Sequence, residues 1–195
     1  MSSLAPQPCT QYLINCGFWG GSYDILQDGA HLYHVDVSRF TPGKPDLTFH
    51  AGPSTSGNVV AVCKYEKFSL DSEIGLGNPG QPLGLQWERL NAHGFMTKRF
   101  TFRVGFGSGP PEVFVWKNTH SLGKGITGNM KLMHEQTNTL TAVFSASNGL
   151  SGKAGRLEIY GPHAKEFQFM VLITAIAVRE RTEGRSGGAA GGGGA

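Results

Sequence analysis

Glu166-Phe-Gln-Phe-Met-Val-Leu-Ile-Thr-Ala-Ile-Ala-Val-Arg179 is the stretch that decides the fold of this chain. No charged residue lies between Phe169 and Val178, and Thr174 is the single polar residue there. Continued to Glu183, the segment predicts a helix over 164–183, which at about 1.5 Å per residue would be about 30 Å long. Because such a helix is apolar on every side, it requires an apolar environment on every side.

Two other structures remain open for this run. A transmembrane helix needs about 18 or more apolar residues, and the run is shorter than that. A buried strand would suit its β-branched residues, but the strand would be unusually long, and the two alanines favour a helix. Pro162 before the segment and Gly184 after it mark its two ends. An enclosed helix is therefore the favoured prediction.

Upstream of this helix, apolar and polar residues alternate with a period of two, which indicates β-strands. Asp28-Gly29 stands between two such segments and is typical of a tight β-hairpin. Turn signals recur about every ten residues, as they do in sheets of short antiparallel strands. The predicted strands are 12–15, 22–27, 31–37, 46–50, 58–65, 69–76, 85–88, 98–104, 112–117, 130–134, 140–145 and 155–160.

Ten to twelve short antiparallel strands followed by one apolar helix favour a closed barrel, because closure removes the exposed edges of the sheet. A barrel of that strand number has an interior too wide for its own side chains to fill. The C-terminal helix is the candidate that fills it. The predicted fold class is therefore mainly β, a closed antiparallel barrel of about twelve strands that encloses the hydrophobic helix.

The composition indicates one domain. We expect residues 1–9 to be a flexible lead, 10–183 the barrel domain and 184–195 a disordered Gly/Ala tail. The net charge of +3 forms no block of like charge, so a nucleic-acid partner is not expected. Three cysteines match neither a disulfide framework nor a zinc site, and the N-terminus does not read as a secretory signal. These features predict an intracellular, cytoplasmic protein, or one attached peripherally to a membrane.

Four segments, together with their order, resemble a known family. They are Ser22-Tyr-Asp-Ile with Asp28-Gly29 and Leu32-Tyr33, Phe114-Val-Trp-Lys117, Lys153-Ala-Gly-Arg-Leu-Glu-Ile159 and the apolar run 169–178. The chain is similar over most of 10–183 to the tubby C-terminal-like fold, which tubby proteins, phospholipid scramblases and plant LURP-one-related proteins share. Small single-domain fungal members are the most similar.

The resemblance implies a twelve-stranded barrel around a central helix. Tubby domains bind phosphoinositide head groups through basic side chains on the barrel. In the scramblase branch the terminal helix is proposed to enter the membrane. Here the helix is shorter than a span needs and is followed by the charged residues Arg179, Glu180, Arg181 and Glu183, so no stable transmembrane span is expected.

Six basic residues fall on, or at the ends of, consecutive predicted strands: Lys98, Arg99, Arg103, Lys117, Lys131 and Arg156. Alternation with Phe100 and Phe102 turns Arg99 and Arg103 outward, and Lys131 and Arg156 share that phase. If the strands are neighbours, these residues are candidates for a cationic patch that binds phosphate or lipid head groups. No motif matches the family's site residue by residue, and an ordinary solvated barrel surface is the alternative.

Other motifs predict no chemistry. The G-x-G-x-x-G segments 75–80 and 123–128 lack the helix that a dinucleotide site needs after it, and the G-x-S-x-G match at 184–188 lies in the predicted tail. His31 and His34 are expected on opposite faces of a strand. No metal and no cofactor are therefore expected. Asp71 and Glu73 are predicted to be an ordinary solvated pair.

These observations favour a non-enzymatic intracellular binding or scaffold module. Its expected partner is an anionic phospholipid surface, such as a phosphoinositide-containing one, or a protein. The alternative is a lipocalin-like carrier, which would hold a small apolar ligand inside the barrel with the helix packed outside. An enzyme would have its site in the irregular region 75–97, where Trp87 and His93 are the reactive candidates.

Overall fold

The computed structural model describes residues 7–17, 21–38, 41–81, 85–94, 99–105, 110–118, 130–147 and 153–183. Twelve antiparallel strands, each paired with its neighbours in the chain, form a closed barrel, and a C-terminal helix packs with it. The predicted mainly β class, the closed barrel and the terminal helix are confirmed. The strands are β1 (Thr10–Cys16), β2 (Ser22–Gln27), β3 (Ala30–Val37), β4 (Leu47–Ala51), β5 (Val59–Tyr65), β6 (Ser72–Leu76), β7 (Gln86–His93), β8 (Arg99–Val104), β9 (Glu112–Asn118), β10 (Met130–His134), β11 (Leu140–Ala146) and β12 (Lys153–Ile159), and the helix is α1 (Lys165–Glu183).

The turn between β2 and β3 follows from its two central residues. Asp28 has a φ of 51° and Gly29 a φ of 82°. Positive φ at both positions is the conformation of a two-residue hairpin turn, whose twist matches that of the flanking strands. The pairing continues from Gln27 opposite Ala30 along both strands. The predicted hairpin is confirmed.

The apolar run forms a helix, so its interpretation as a strand is wrong. Every residue from Met170 to Val178 is at most 2% exposed. This run covers about two and a half helical turns, so all sides of the helix are covered there. Within the ranges that the structure describes, no helix is long and apolar enough to cross a membrane.

The helix contacts strands that lie far apart around the barrel. The indole Nε1 of Trp116 in β9 donates a hydrogen bond of 2.9 Å to Oγ1 of Thr174. The ring of Phe169 stacks on Tyr33 of β3, with 4.8 Å between centroids. In the ring of twelve strands β3 and β9 are six apart, which places them on opposite walls. Helix residues and inward-facing strand residues belong to one hydrophobic cluster.

Strand β7 is longer than the short strand predicted at 85–88. It continues to His93, pairing first with β6 and then with β8. Gln86 and Glu88 occupy the same side of the strand as the buried Leu90, and Gln86 donates to Glu88 at 3.1 Å. Polar residues at inward positions hide the period of two, which explains the shorter prediction. The predicted tail 184–195 and residues 1–6 of the predicted lead lie outside the described residues.

Candidate functional site

Three of the basic residues predicted from the sequence lie side by side on the outer face. Phe100 pairs with Trp116 between β8 and β9, and both are fully buried inward-facing residues. One step along the strands, the register therefore sets Arg99 opposite Lys117 on the outer face. Lys117 is in turn the direct partner of Lys131 in β10. We call Arg99, Lys117 and Lys131 the basic row.

The charges of the basic row are unevenly compensated. Nη2 of Arg99 lies 2.7 Å from Oε1 of Glu135, and both side chains are about two-fifths exposed. Among the described residues, no ion pair joins Lys117 or Lys131 to a carboxylate. The sequence that connects their strands, 119–129, contains no Asp or Glu. Like charges directly opposite each other in a sheet are destabilising, so this lysine pair opposes the stability of the barrel.

Arg99 also has a packing role. Val115 and Met133 are cross-strand partners that point outward, yet they are 1% and 8% exposed. They lie between Arg99 and Glu135 in the register, so the ion pair bridges the sheet above them. The aliphatic stem of an arginine commonly covers apolar surface in this way. The charge of Arg99 is thus partly committed to the fold, whereas no ion pair within the described part of the chain engages either lysine.

Two of the other three predicted residues do not join the basic row. Arg103 is exposed on the outer face of β8, opposite Val113 and four residues beyond Arg99. Arg156 lies on β12, two strands from β10, and its Nη1 is 3.9 Å from Oε1 of Glu158. Lys98 lies outside the described residues.

The residues proposed for an enzyme do not meet either. Trp87 and His93 share the outer face of β7 but are six residues apart, which is about 20 Å along a strand. Trp87 lies over Gly75, where an added Cβ would be 3.1 Å from the indole. Nε2 of His93 is 2.7 Å from Oγ1 of Thr101. His93 is also the cross-strand partner of Arg99, so it extends the basic row by one strand.

A cleft that the sequence did not indicate opens at the opposite end of the barrel. Its volume is about 820 Å³, and its lining comes from the start of β9, the turn between β10 and β11 and the link into α1. Nε2 of His134 lies 3.3 Å from a carboxylate oxygen of Glu112, and Nδ1 lies 2.8 Å from Oγ1 of Thr137. The backbone N–H of Thr137 also donates to Nδ1 at 3.2 Å, so the proton of the imidazole is on Nε2, facing Glu112.

This carboxylate–imidazole–hydroxyl chain has the order of a hydrolase triad, but it serves the turn. His134 and Thr137 are three residues apart, and Thr137 also accepts a 2.8 Å hydrogen bond from Thr139. Burial, followed by the nearby carboxylate of Glu158, raises the pKa of Tyr160 in the cleft wall, so this phenol stays protonated. No lysine or arginine is among the lining residues. Sequence reasoning missed the cleft because only the fold brings its three segments together.

Metal chemistry has no visible basis in the described ranges. They contain no group of three or more His, Cys, Asp or Glu side chains that could hold a metal ion. Nδ1 of His34 lies 2.7 Å from Oδ1 of Asp24. That contact connects neighbouring strands rather than forming a ligand set.

Comparisons with known proteins support the fold and go no further. No protein-family model matches the chain, and no curated protein matches its sequence. Among solved structures, the X-ray structure of protein AT5G01750 from Arabidopsis thaliana is similar. The two share 15% identity with a TM-score of 0.54, over 89% of this chain and 91% of that one. At such low identity, the likeness extends to the fold alone.

Proposed function

We propose that this protein is a non-enzymatic intracellular module that binds anionic phospholipid surfaces, including phosphoinositide-containing ones, through the basic row. The observation that carries the proposal is the directly opposed pair Lys117 and Lys131. Such a pair costs stability in the free protein. A phosphate placed between the two ammonium groups would replace this repulsion with charge-assisted hydrogen bonds.

The dimensions of the basic row suit a lipid head group. Neighbouring strands are about 4.8 Å apart, so the row from Arg99 to Lys131 is about 10 Å wide. Arginine binds phosphate with two parallel hydrogen bonds, and lysine supplies a compact point charge. Each basic residue near an anionic membrane surface contributes about 1 kcal/mol. Lys117 and Lys131 together would therefore contribute about 2 kcal/mol to attachment, and Arg99, which is paired with Glu135, would add less than a free arginine.

The barrel proposed for this function is tubby-like, with α1 enclosed by the strands. Two observations support the enclosure: α1 contacts the opposite walls β3 and β9, and Met170 to Val178 are buried. A solid interior makes the barrel a rigid carrier of its surface groups. The lipocalin-like alternative needs the helix outside and a cavity inside, and the burial of the helix does not favour it.

Vesicle flotation tests the proposal. The wild-type protein is expected to float with vesicles of phosphatidylcholine that contain phosphatidylserine or a phosphoinositide, and to remain behind with pure phosphatidylcholine. Binding should weaken at high salt because exposed charges are screened. Lys117→Ala and Lys131→Ala should each weaken binding about fivefold at low salt, which corresponds to about 1 kcal/mol.

Lys165→Ala is the matched control, because it removes one exposed lysine at the start of α1, near the other end of the barrel. Lys117→Ala should also raise the free energy of unfolding by about 0.2–1 kcal/mol, since it removes the cross-strand repulsion. If Lys117→Ala binds vesicles less tightly and is also more stable, Lys117 serves a ligand and not the stability of the fold. If the wild-type protein does not bind anionic vesicles at low salt, the lipid-binding function is refuted, and a protein partner is the proposal that remains. Lys131→Ala that binds like Lys165→Ala refutes the basic row.

A further inference from the structure

Phe68 departs from two general rules of protein structure. It lies in the turn between β5 and β6 with a φ of 68°, a conformation that bulky residues adopt only under strain. Its side chain is 107% exposed relative to a free reference residue, so the ring gains nothing from packing within this chain. A strained backbone that holds an aromatic ring in solvent has no explanation in the stability of the barrel.

The turn is held in place by the end of the helix. Arg181 is 9% exposed, and its guanidinium donates to three backbone carbonyls of the turn. These are the carbonyls of Glu66 at 3.1 Å, of Leu70 at 3.4 Å and of Ser69. The tip that carries Phe68 is therefore braced from inside the protein.

A lysine-lined cleft lies beside the turn. Its volume is about 300 Å³, and the exposed residues Lys44, Lys64 and Lys67 contribute to its wall. The exposed carboxylate in the wall is Glu73, the cross-strand partner of Lys64. The other two carboxylates are engaged: Oε1 of Glu66 accepts from Arg89 at 2.6 Å, and Oδ2 of Asp46 accepts from the backbone N–H of Tyr65 at 2.7 Å. The formal charges of the lining balance at three lysines and three carboxylates, but its exposed charged residues are the three lysines and the single carboxylate Glu73.

Phe68 and the basic row belong to the same end of the barrel. Successive strands are antiparallel, so the β5–β6 turn lies at the end where β9 finishes and β10 begins. Lys117 is the next-to-last residue of β9, and Lys131 is the second residue of β10. The two features are four strands apart around the barrel, which is about 19 Å along its wall.

We propose that this end of the barrel docks on an anionic bilayer, with a phosphate-bearing head group in the lysine cleft and the ring of Phe68 in the membrane interface. This inference rests on the proposed lipid-binding function and gives the barrel its orientation. A single aromatic ring among lysines matches the interface of a charged membrane, where aromatic side chains and basic residues act together. An exposed aromatic ring can also anchor a protein contact, and the quenching experiment below distinguishes the two.

Phe68→Trp on the full chain reports the position of the ring directly. With anionic vesicles whose lipids carry bromine in the upper acyl chain, the added tryptophan should be quenched, and its emission should shift to the blue. Wild-type protein, which has the same remaining tryptophans, is the control. Phe68→Gly should weaken vesicle binding about tenfold while raising the melting temperature, because glycine adopts positive φ without strain. Lys44→Ala and Lys67→Ala should each weaken binding about fivefold.

The outcomes distinguish this inference from the function on which it rests. The inference is overturned if the wild type binds vesicles, the tryptophan of Phe68→Trp is not quenched and Phe68→Gly binds with unchanged affinity. The basic row would then still account for the binding. That result would assign Phe68 to a protein contact. Binding that survives Lys117→Ala and Lys131→Ala but is lost in Phe68→Gly supports the inference and refutes the basic row. No binding by the wild type at low salt overturns both.

Discussion

Replacing Thr174 by Val removes one oxygen from the contact between α1 and β9 and almost nothing else. The Thr174 hydroxyl accepts the indole N–H of Trp116 at 2.9 Å and donates to the carbonyl of Val171 at 3.0 Å. Thr174 and Trp116 are both 0% exposed, so no water replaces the lost acceptor. The carbonyl of Val171 can still be satisfied by the backbone of the helix.

The expected loss of stability comes from the indole N–H of Trp116, which loses its acceptor. A buried N–H left without an acceptor costs about 1–3 kcal/mol, and the extra methyl group of valine returns up to about 0.8 kcal/mol. We therefore expect Thr174→Val to lower the free energy of unfolding by about 1.5 kcal/mol. Urea unfolding followed by far-UV circular dichroism measures this value, with an unchanged dependence on urea concentration as the sign that only the folded state is affected.

A double-mutant cycle with Trp116→Phe isolates the hydrogen bond from the change of shape. Phenylalanine has no N–H, so Thr174→Val should be neutral or stabilising in that background. Equal stability of Thr174→Val and the wild type in both backgrounds would show that the indole does not meet the helix. That result would remove the contact of α1 with the β9 wall, and with it one of the two observations that support the proposed enclosure of the helix.

Two further predictions concern the barrel wall. Gly155 has a φ of 155°, and an added Cβ would lie 2.5 Å from the carbonyl oxygen of Ser145, so Gly155→Ala should lower the free energy of unfolding by about 2 kcal/mol or more in thermal unfolding. Gly105→Ala is the control: no atom lies within 4 Å of its added Cβ, so this variant should melt close to the wild type. Equal melting temperatures of the two variants would contradict the packing around Gly155. Burial, and secondarily Tyr33, raises the pKa of Tyr12 from 10.0 to about 12. The folded state favours the neutral phenol, so the contribution of Tyr12 to stability is complete below pH 10.0 and is lost as the pH rises to about 12. In Tyr12→Phe the free energy of unfolding should therefore fall less steeply with pH between these values. An unchanged slope of unfolding free energy against pH would contradict the burial of Tyr12.

The parts of the fold that were predictable rest on local patterns. The pair Asp28-Gly29 specifies its turn by backbone preference, and the uncharged run to Val178 is too apolar for any exposed position. Strand β7 was predicted too short because its inward positions begin with Gln86 and Glu88. Local signals therefore identify elements whose own residues agree with their environment.

The candidate site depends on relations that a sequence does not display. The facing of Lys117 and Lys131 is set by the lateral register of β9 and β10, and spacing along the chain does not fix that register. The cleft around His134 collects three distant segments. Phe68 carries no glycine-like signal for its positive φ, so the strained turn is visible only in the structure.

Two features of the barrel oppose its stability: Lys117 faces Lys131, and the ring of Phe68 lies in solvent. A sequence specifies its fold when local preference, packing and charge agree, and positions that disagree without compensation are expected at functional sites. Both exceptions lower the stability of a barrel whose neighbouring positions, such as Arg99 with Glu135, are compensated. They also lie at one end of the barrel, at the end where Arg181 braces the turn. A double variant that replaces one of these lysines together with Phe68 tests the relation. If the two gains in the free energy of unfolding add, the two stability costs are energetically independent. If both single replacements nevertheless weaken vesicle binding, one ligand surface accounts for both exceptions.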